Sequence, residues 1–322
     1  MGALDCVNRM TGSTDVFTVN MNSDTSLDKP RKDPESQLVQ SNTLGCNLRW
    51  ALLVDLPIFV IVFAVIGLYE LNVIPQSQAG FYCNDPKLSF VFDGDTVSSA
   101  VLVSSILLLP LVTVFVTELI LYDSNSERTR LNYSMRKTLS IYRSYSYGLF
   151  VNFIVVEVMK AVSGSPRPIF FDVCQPDAAL TCKDSEWVSS FKCTPNKYSS
   201  WMQTDSYHSF PSGHTSLSVL CGFFTAWYLQ KRAFSWRNKT IFLVPLLQML
   251  CISYSAVCSL SRITDHRHHW WDVLVGAIVG FVTLFYTVML SKNFERRRWT
   301  RDRVMTSSQQ TVQTFDGQMS TA

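Results

Sequence analysis

The chain has 322 residues, of which 47% are hydrophobic and only 16% are charged, a balance typical of membrane proteins. Its formal net charge of +3 is too small for its size to predict a nucleic-acid partner. No secretory signal peptide is predicted, because residues 1–46 are polar and lack an apolar core. These residues are predicted to form a disordered cytosolic tail.

Six apolar segments are long enough to cross a bilayer as helices, which requires about 20 residues each. The predicted fold is an all-α integral membrane bundle of six helices within residues 47–292, followed by a cytosolic tail at 293–322. The embedded carboxylates of Glu118 and Glu157 are expected to accept interhelical or interfacial hydrogen bonds. The segments are Trp50–Leu71, Val97–Tyr122, Tyr147–Val162, His214–Gln230, Thr240–Leu260 and Trp271–Ser291.

Basic residues predict the orientation, because they concentrate in the cytosolic loops of membrane proteins. They cluster before the first segment, between the second and third, between the fourth and fifth, and after the sixth. Both termini are therefore predicted to be cytosolic. The loops that follow the first, third and fifth segments are predicted to face outward. Polar motifs lie beside these loops, so the site they would form is predicted at the extracellular or lumenal ends of helices three to six.

The first polar motif lies at the outward end of the third segment. Lys160 is followed seven residues later by Arg167, in a turn that Pro166 and Pro168 stiffen. The two cations can then converge on one phosphate group. Taken alone, each could equally be an interfacial side chain that reaches the headgroups.

The second motif opens the fourth segment with Ser212, Gly213 and His214. A helix N-terminus presents free amides and the positive end of its dipole, so it can bind a phosphate. Gly213 allows close backbone approach, and His214 is predicted to donate a proton. The simpler interpretation makes Ser212 an N-cap and His214 an interfacial side chain.

The third motif connects the fifth and sixth segments. Arg262 offers a planar fork to phosphate oxygens. His268 and Asp272 are four residues apart, so on a helix the carboxylate can accept a hydrogen bond from one ring nitrogen. The other nitrogen would then be a nucleophile.

A metal site is an alternative for this region, because histidines and aspartates are concentrated between Asp265 and Asp272. The three motif cations, Lys160, Arg167 and Arg262, oppose a divalent ion and favour a phosphate group. We therefore predict catalysis with no metal and no cofactor.

Together the motifs resemble all three signatures of the type 2 phosphatidic acid phosphatase (PAP2) superfamily. The layout is similar to its animal branch, the lipid phosphate phosphatases, which includes insect Wunen-like members. The resemblance covers roughly Trp50 to Ser291, and three ordered motifs are far more specific than any one of them.

This resemblance implies a magnesium-independent phosphatidate phosphatase, a phosphoric monoester hydrolase. Its substrates would be phosphatidate, lysophosphatidate, sphingosine 1-phosphate and ceramide 1-phosphate. It implies that His268 forms a phosphohistidine, that Asp272 orients it, and that His214 is the general acid and base. The phosphate ligands implied are Lys160, Arg167, Ser212, Gly213 and Arg262. An ecto-enzyme of the plasma membrane that degrades lipid signals is the expected role.

Three alternatives stay open: a catalytically reduced interaction protein, a transporter, and a lipid phosphotransferase. The intact motifs oppose the first, and the second lacks paired polar breaks at mid-membrane. Gly276 and Gly280 could serve a homo-oligomer, although packing inside one bundle is favoured. Cysteines of the outward loops can form disulfides, and a bond among Cys174, Cys182 and Cys193 is expected with its pairing open.

Overall fold

The computed structural model describes Leu53 and residues 56–70, 77–122, 129–183, 185–194, 197–234 and 241–290. The predicted tails at 1–46 and 293–322 lie outside these residues. The chain divides into two units, Met1–Glu70 and Leu71–Ala322. The first unit contains helix α1 at Leu56–Glu70, which has 15 residues and is shorter than the predicted segment.

The second unit is mainly helical and has one two-stranded antiparallel sheet among its described residues. In chain order its elements are β1 (Phe81–Tyr82), a 3₁₀ turn (Pro86–Leu88), α2 (Ser99–Ile120), α3 (Arg130–Ser163), α4 (Phe170–Val173), a second 3₁₀ turn (Asp177–Leu180), β2 (Trp187–Val188), α5 (Ser200–Asp205), α6 (Gly213–Arg232), α7 (Leu243–Thr264) and α8 (Trp270–Leu290).

Four of these helices, α2, α3, α7 and α8, are long and apolar enough to cross a membrane. The chain is therefore a mostly helical membrane protein. Four of the six predicted segments correspond to these helices. The other two correspond to α1, which is short, and α6, which is less apolar.

Helix α6 is less apolar because protein surrounds it. It packs against α2, α3 and α7, and its buried hydroxyl groups find partners within the bundle. Ser216 donates to the amide oxygen of Asn152 at 2.8 Å, and Thr225 donates to the Cys221 carbonyl at 2.8 Å. A helix shielded from lipid can carry such residues, since neighbouring groups satisfy them.

Helix α3 begins at Arg130 and not at the predicted Tyr147. The added turns carry polar side chains that contact α2, so hydropathy alone does not mark them. Ser134 donates to the Glu118 carbonyl at 3.1 Å, and Lys137 lies 3.1 Å from the Glu118 carboxylate. Arg232 of α6 also donates to that carboxylate, at 2.9 Å. The interhelical bonding predicted for Glu118 is thus confirmed.

Gly276 and Gly280 bring α8 into direct contact with α6. A Cβ atom added at Gly276 would lie 2.5 Å from the Ser212 carbonyl oxygen, and one at Gly280 would lie 2.7 Å from that of Ser216. Only hydrogen fits at these two positions. The favoured interpretation, packing inside one bundle, is confirmed.

A small cap of loops, strands and short helices surrounds a buried aromatic cluster. Phe81, Phe170, Phe191 and Tyr207 form this cluster with neighbouring ring centroids 5.0–5.7 Å apart. Two disulfides, Cys83–Cys182 and Cys174–Cys193, close the cap. The sequence left the pairing open, and the structure selects Cys174–Cys193 from the three expected candidates.

Digestion without reduction followed by mass spectrometry tests this cap. We expect two linked peptide pairs, Cys83 with Cys182 and Cys174 with Cys193, because these sulfurs are bonded in the fold. Cys251 and Cys258 should alkylate after denaturation without reductant, since both are free thiols. A peptide linking Cys174 to Cys182 would contradict the structure.

Candidate active site

The predicted site residues lie where four helices begin or end. Lys160 is in the last turn of α3, Ser212 caps α6, and Arg262 is in the last turn of α7. His268 lies two residues before the start of α8, and Asp272 lies in the first turn of that helix. The helices thus present all three motifs at matching ends.

His268 is nearly buried, with 4% of its surface exposed. Its Nδ1 lies 2.6 Å from the Ser209 carbonyl oxygen. A carbonyl only accepts, so Nδ1 carries the proton and Nε2 keeps a lone pair. That Nε2 lies 3.4 Å from Nη1 of Arg167.

Burial lowers the pKa of His268 well below its usual range, and the charges of Arg167 and Lys160 lower it further. The imidazole is therefore neutral at pH 7. A neutral ring whose unprotonated Nε2 faces a guanidinium is suited to attack an electrophile that carries negative charge.

Ser209 stands between His268 and Asp272. The distance from His268 Nδ1 to Asp272 Oδ2 is 3.9 Å, too long for a hydrogen bond. Oδ2 of Asp272 instead accepts from the Ser209 hydroxyl at 2.5 Å and from the His269 amide at 2.9 Å. The expected connection of Asp272 to His268 therefore runs through Ser209, whose hydroxyl holds one and whose carbonyl holds the other. Sequence reasoning missed this residue, although it stands only two positions before Pro211.

Arg167 is also buried, with 4% of its surface exposed. Its Nη2 donates to Oδ1 of Asp205 at 2.5 Å, and its Nε donates to the Asp205 carbonyl at 2.7 Å. Burial lowers the pKa of Arg167 to about 10, against the opposing effect of Asp205. The guanidinium is still charged at pH 7.

Lys160 reaches the N-terminus of α6. A Cβ atom added at Gly213 would lie 3.8 Å from its Nζ, and that Nζ donates to Glu157 at 3.0 Å. The hydrogen bond of Glu157 with Lys160 therefore lies within α3 and not between helices.

Ser212 is the N-cap of α6, as the simpler interpretation predicts. Its Oγ accepts from the Thr215 amide at 3.4 Å and from the Thr215 hydroxyl at 3.0 Å.

His214 has a buried Nε2 with no hydrogen-bond partner among the described residues. The ring interacts electrostatically with Arg262, Arg167 and Lys160. A buried polar atom without a partner calls for an explanation, and a bound ligand supplies one. His214 is thus placed to face an anion that these cations hold.

Arg262 differs most from its predicted state, in which its guanidinium group is available to phosphate oxygens. It is 1% exposed, and it donates to Asp95 at 3.0 Å, Asp265 at 2.9 Å and the Val97 carbonyl at 3.0 Å. Like Lys160 and Arg167, it is paired with carboxylate, since a buried charge without a partner is strongly destabilising. These carboxylates offset part of the positive charge of Lys160, Arg167 and Arg262. The three cations therefore oppose a divalent ion less than their number alone predicts.

The other three histidines make different contacts. His266 stacks on Phe90 with ring centroids 4.0 Å apart, and His269 stacks on Trp271 at 4.5 Å. Burial lowers the pKa of His208 to about 4. Within the described ranges, no three His, Cys, Asp or Glu residues are grouped to hold a metal ion.

Known proteins resemble this chain across the same region. The PAP2 superfamily model matches residues 141–296. A Drosophila melanogaster protein named putative phosphatidate phosphatase is 30% identical over 226 residues, which are 64% of this chain and 59% of that protein. A Caenorhabditis elegans protein named phospholipid phosphatase homolog 1.2 homolog is 30% identical over 248 residues, covering 73% of this chain and 71% of the relative.

Phospholipid phosphatase 2 of Bos taurus is 29% identical over 224 residues, which are 69% of this chain and 76% of that protein. No solved structure matches the chain. The family model covers all three motifs, and the nematode relative is matched over more than two thirds of its length. With the motif side chains gathered at one end of the helices, the chain belongs to the PAP2 superfamily.

Proposed function

We propose that the chain is a magnesium-independent lipid phosphate phosphohydrolase that acts through a phosphohistidine. The observation that carries this proposal is the neutral Nε2 of His268, 3.4 Å from Nη1 of Arg167. A nucleophile and a phosphate-binding cation there face the same space. The names of the relatives support phosphatidate and related phospholipids as substrates. Lysophosphatidate, sphingosine 1-phosphate and ceramide 1-phosphate complete the proposed range, in phospholipid metabolism and the degradation of lipid signals.

The phosphate group would lie between Lys160, Arg167 and the first amides of α6. Amides of a first helical turn have no partner within the helix and point at such a ligand. Ser212 and Gly213 supply this turn, with the Ser212 hydroxyl retained as the cap. Arg262 adds positive charge to the site while its fork holds Asp95 and Asp265.

In the first step, Nε2 of His268 attacks phosphorus, and the bond from phosphorus to the lipid oxygen breaks. His214 donates its proton to the departing alkoxide. The negative charges of the bound phosphate favour this protonated state of His214 beforehand. Asp272, acting through Ser209, keeps the His268 ring in place as it gains positive charge.

In the second step, His214 removes a proton from water, which attacks phosphorus. The phosphorus–nitrogen bond breaks, inorganic phosphate leaves, and the neutral His268 is restored. Lys160 and Arg167 stabilise the oxygens of the transferred group in both steps.

The proposed setting is the outer face of the plasma membrane. The six-helix domain at 47–292 would include α1 and α6 as spans, with both termini cytosolic. Two disulfides in the cap support an oxidising compartment on the side of the site.

Phosphate release from phosphatidate by membranes that carry the protein tests the reaction. His268→Ala should lower the rate by roughly a thousandfold or more, because the covalent route needs this nitrogen. His266→Asn is the matched control, since that histidine only stacks on Phe90, and it should keep activity within a few fold. Activity should persist in excess chelator. An active His268→Ala variant or a chelator-sensitive enzyme would refute the mechanism.

Ser209→Ala removes the hydroxyl that holds Asp272 and that lies 3.5 Å from Nδ1 of His268. The variant keeps the carbonyl that holds His268. We expect kcat to fall roughly 10- to 100-fold, the scale of a small misplacement of a reacting group. Ser206→Ala is the control, because that buried hydroxyl bonds only to the Gln203 carbonyl. Equal rates for both variants would show that the link through Ser209 has no catalytic effect.

Cysteine labelling of intact cells tests the orientation. Leu180 is 85% exposed in the cap, and Arg136 is exposed near the opposite end of α3. An impermeant maleimide should label Leu180→Cys on intact cells and should label Arg136→Cys only after permeabilisation. The reverse pattern would invert the proposed topology.

A further inference from the structure

Asp205, the last residue of α5, binds two arginines of the site with its one carboxylate. Oδ1 accepts from Nη2 of Arg167 at 2.5 Å, and Oδ2 accepts from Nη2 of Arg267 at 2.9 Å. Its backbone carbonyl also accepts from Nε of Arg167 at 2.7 Å. Neither Asp205 nor Arg267 is among the predicted site residues, although Arg267 lies within the third motif, directly before His268.

These bonds determine which edge of Arg167 faces the nucleophile. Asp205 occupies the edge formed by Nε and Nη2. The remaining nitrogen, Nη1, then points to His268 Nε2 at 3.4 Å and to the Arg267 carbonyl at 3.3 Å. A guanidinium is planar and rigid, so fixing one edge fixes the direction of the other.

The Asp205 carboxylate is itself held in place. Its side chain is 16% exposed, and Arg267, which binds its second oxygen, is restrained from two further directions. Nε of Arg267 lies 3.3 Å from Asp95 Oδ1 as an ion pair without hydrogen-bond geometry, and the guanidinium lies 5.1 Å from the Phe92 ring centroid. Burial raises the pKa of Asp205, but Arg167 and Arg267 lower it by more. The carboxylate is therefore ionised at pH 7.

We propose that Asp205 is a positioning residue that, together with Arg267, aims Nη1 of Arg167 at the phosphoryl group on His268. This inference rests on the proposed function and extends it to two residues that were not predicted to belong to the site. Asp205 touches no reacting atom, and its effect passes through Arg167.

The charge of Asp205 has a second, opposite effect. A carboxylate next to Arg167 lowers the positive potential that attracts a phosphate group. Removing this charge should therefore strengthen anion binding while it loosens the aim of Arg167. Loss of a residue that only supports the fold would lower both kcat and phosphate binding. Opposite changes in kcat and phosphate binding therefore distinguish a positioning role from a structural one.

The experiment compares Asp205→Asn with wild type by two measurements. The first is turnover of phosphatidate in detergent micelles, where kcat should fall at least fivefold. The second is binding of inorganic phosphate, measured without turnover as a concentration-dependent rise in Tm. The variant should bind phosphate about three- to tenfold more tightly, because one negative charge is gone from beside the site.

Arg267→Gln provides the reciprocal change, since it removes a cation and leaves Asp205 in place. It should also lower kcat at least fivefold, but it should bind inorganic phosphate more weakly than wild type. Asp177→Asn is the matched control, because that carboxylate accepts from the Lys192 and Ala178 amides in the cap. It should leave both measurements unchanged. Size-exclusion profiles show whether each variant is folded.

The proposal is overturned if Asp205→Asn keeps kcat within fivefold, or if its phosphate binding weakens or stays as in wild type. If Asp205→Asn does not fold, Asp205→Ser removes the same charge with a shorter side chain, and the same two outcomes overturn the proposal. A wild-type protein that releases no phosphate would overturn the proposed function. The opposite signs of phosphate binding in the two variants would still test the role of Asp205.

Discussion

The structure around the site depends on one constraint: a charge withdrawn from water needs an opposite charge beside it. Arginines and aspartates satisfy this constraint in an alternating chain of Arg262, Asp95, Arg267, Asp205 and Arg167. The chain connects the segment before α2, the end of α5 and the turn between α7 and α8. Loops that are distant in sequence are thereby fixed around His268. The same ion pairs that stabilise the fold also fix the directions of the guanidinium groups around His268.

The ring of His268 is oriented by a main-chain carbonyl, that of Ser209, more than by the nearby carboxylate of Asp272. The Ser209 carbonyl selects the tautomer of His268, while the hydroxyl of the same residue holds Asp272. A backbone acceptor cannot be protonated in the physiological range, so the tautomer is independent of the charge on Asp272. In the proposed mechanism, the carboxylate supports this arrangement and stabilises the positive ring that forms.

Much of this arrangement could be predicted from sequence, and the remainder has a physical explanation. Apolar runs predicted the helices α2, α7 and α8, and the motifs predicted that Arg167 and His268 lie close together, as they do in the fold. The polar start of α3 and the hydroxyl-rich α6 gave weaker signals, because protein and not lipid surrounds them. Ser209 and Asp205 were not predictable, since each acts on a partner far along the chain, such as Asp272, 63 residues after Ser209.

The two glycines of α8 connect the packing of the bundle with the geometry of the candidate site. Gly276 lies against the carbonyl of the residue that caps α6, one position before the glycine that precedes His214. A single methyl group at this contact would separate the two helices by about an ångström, which is enough to misalign reacting groups. The spacing between His214 and His268 therefore depends on two positions of α8 that carry no side chain, on a helix face that contains neither histidine.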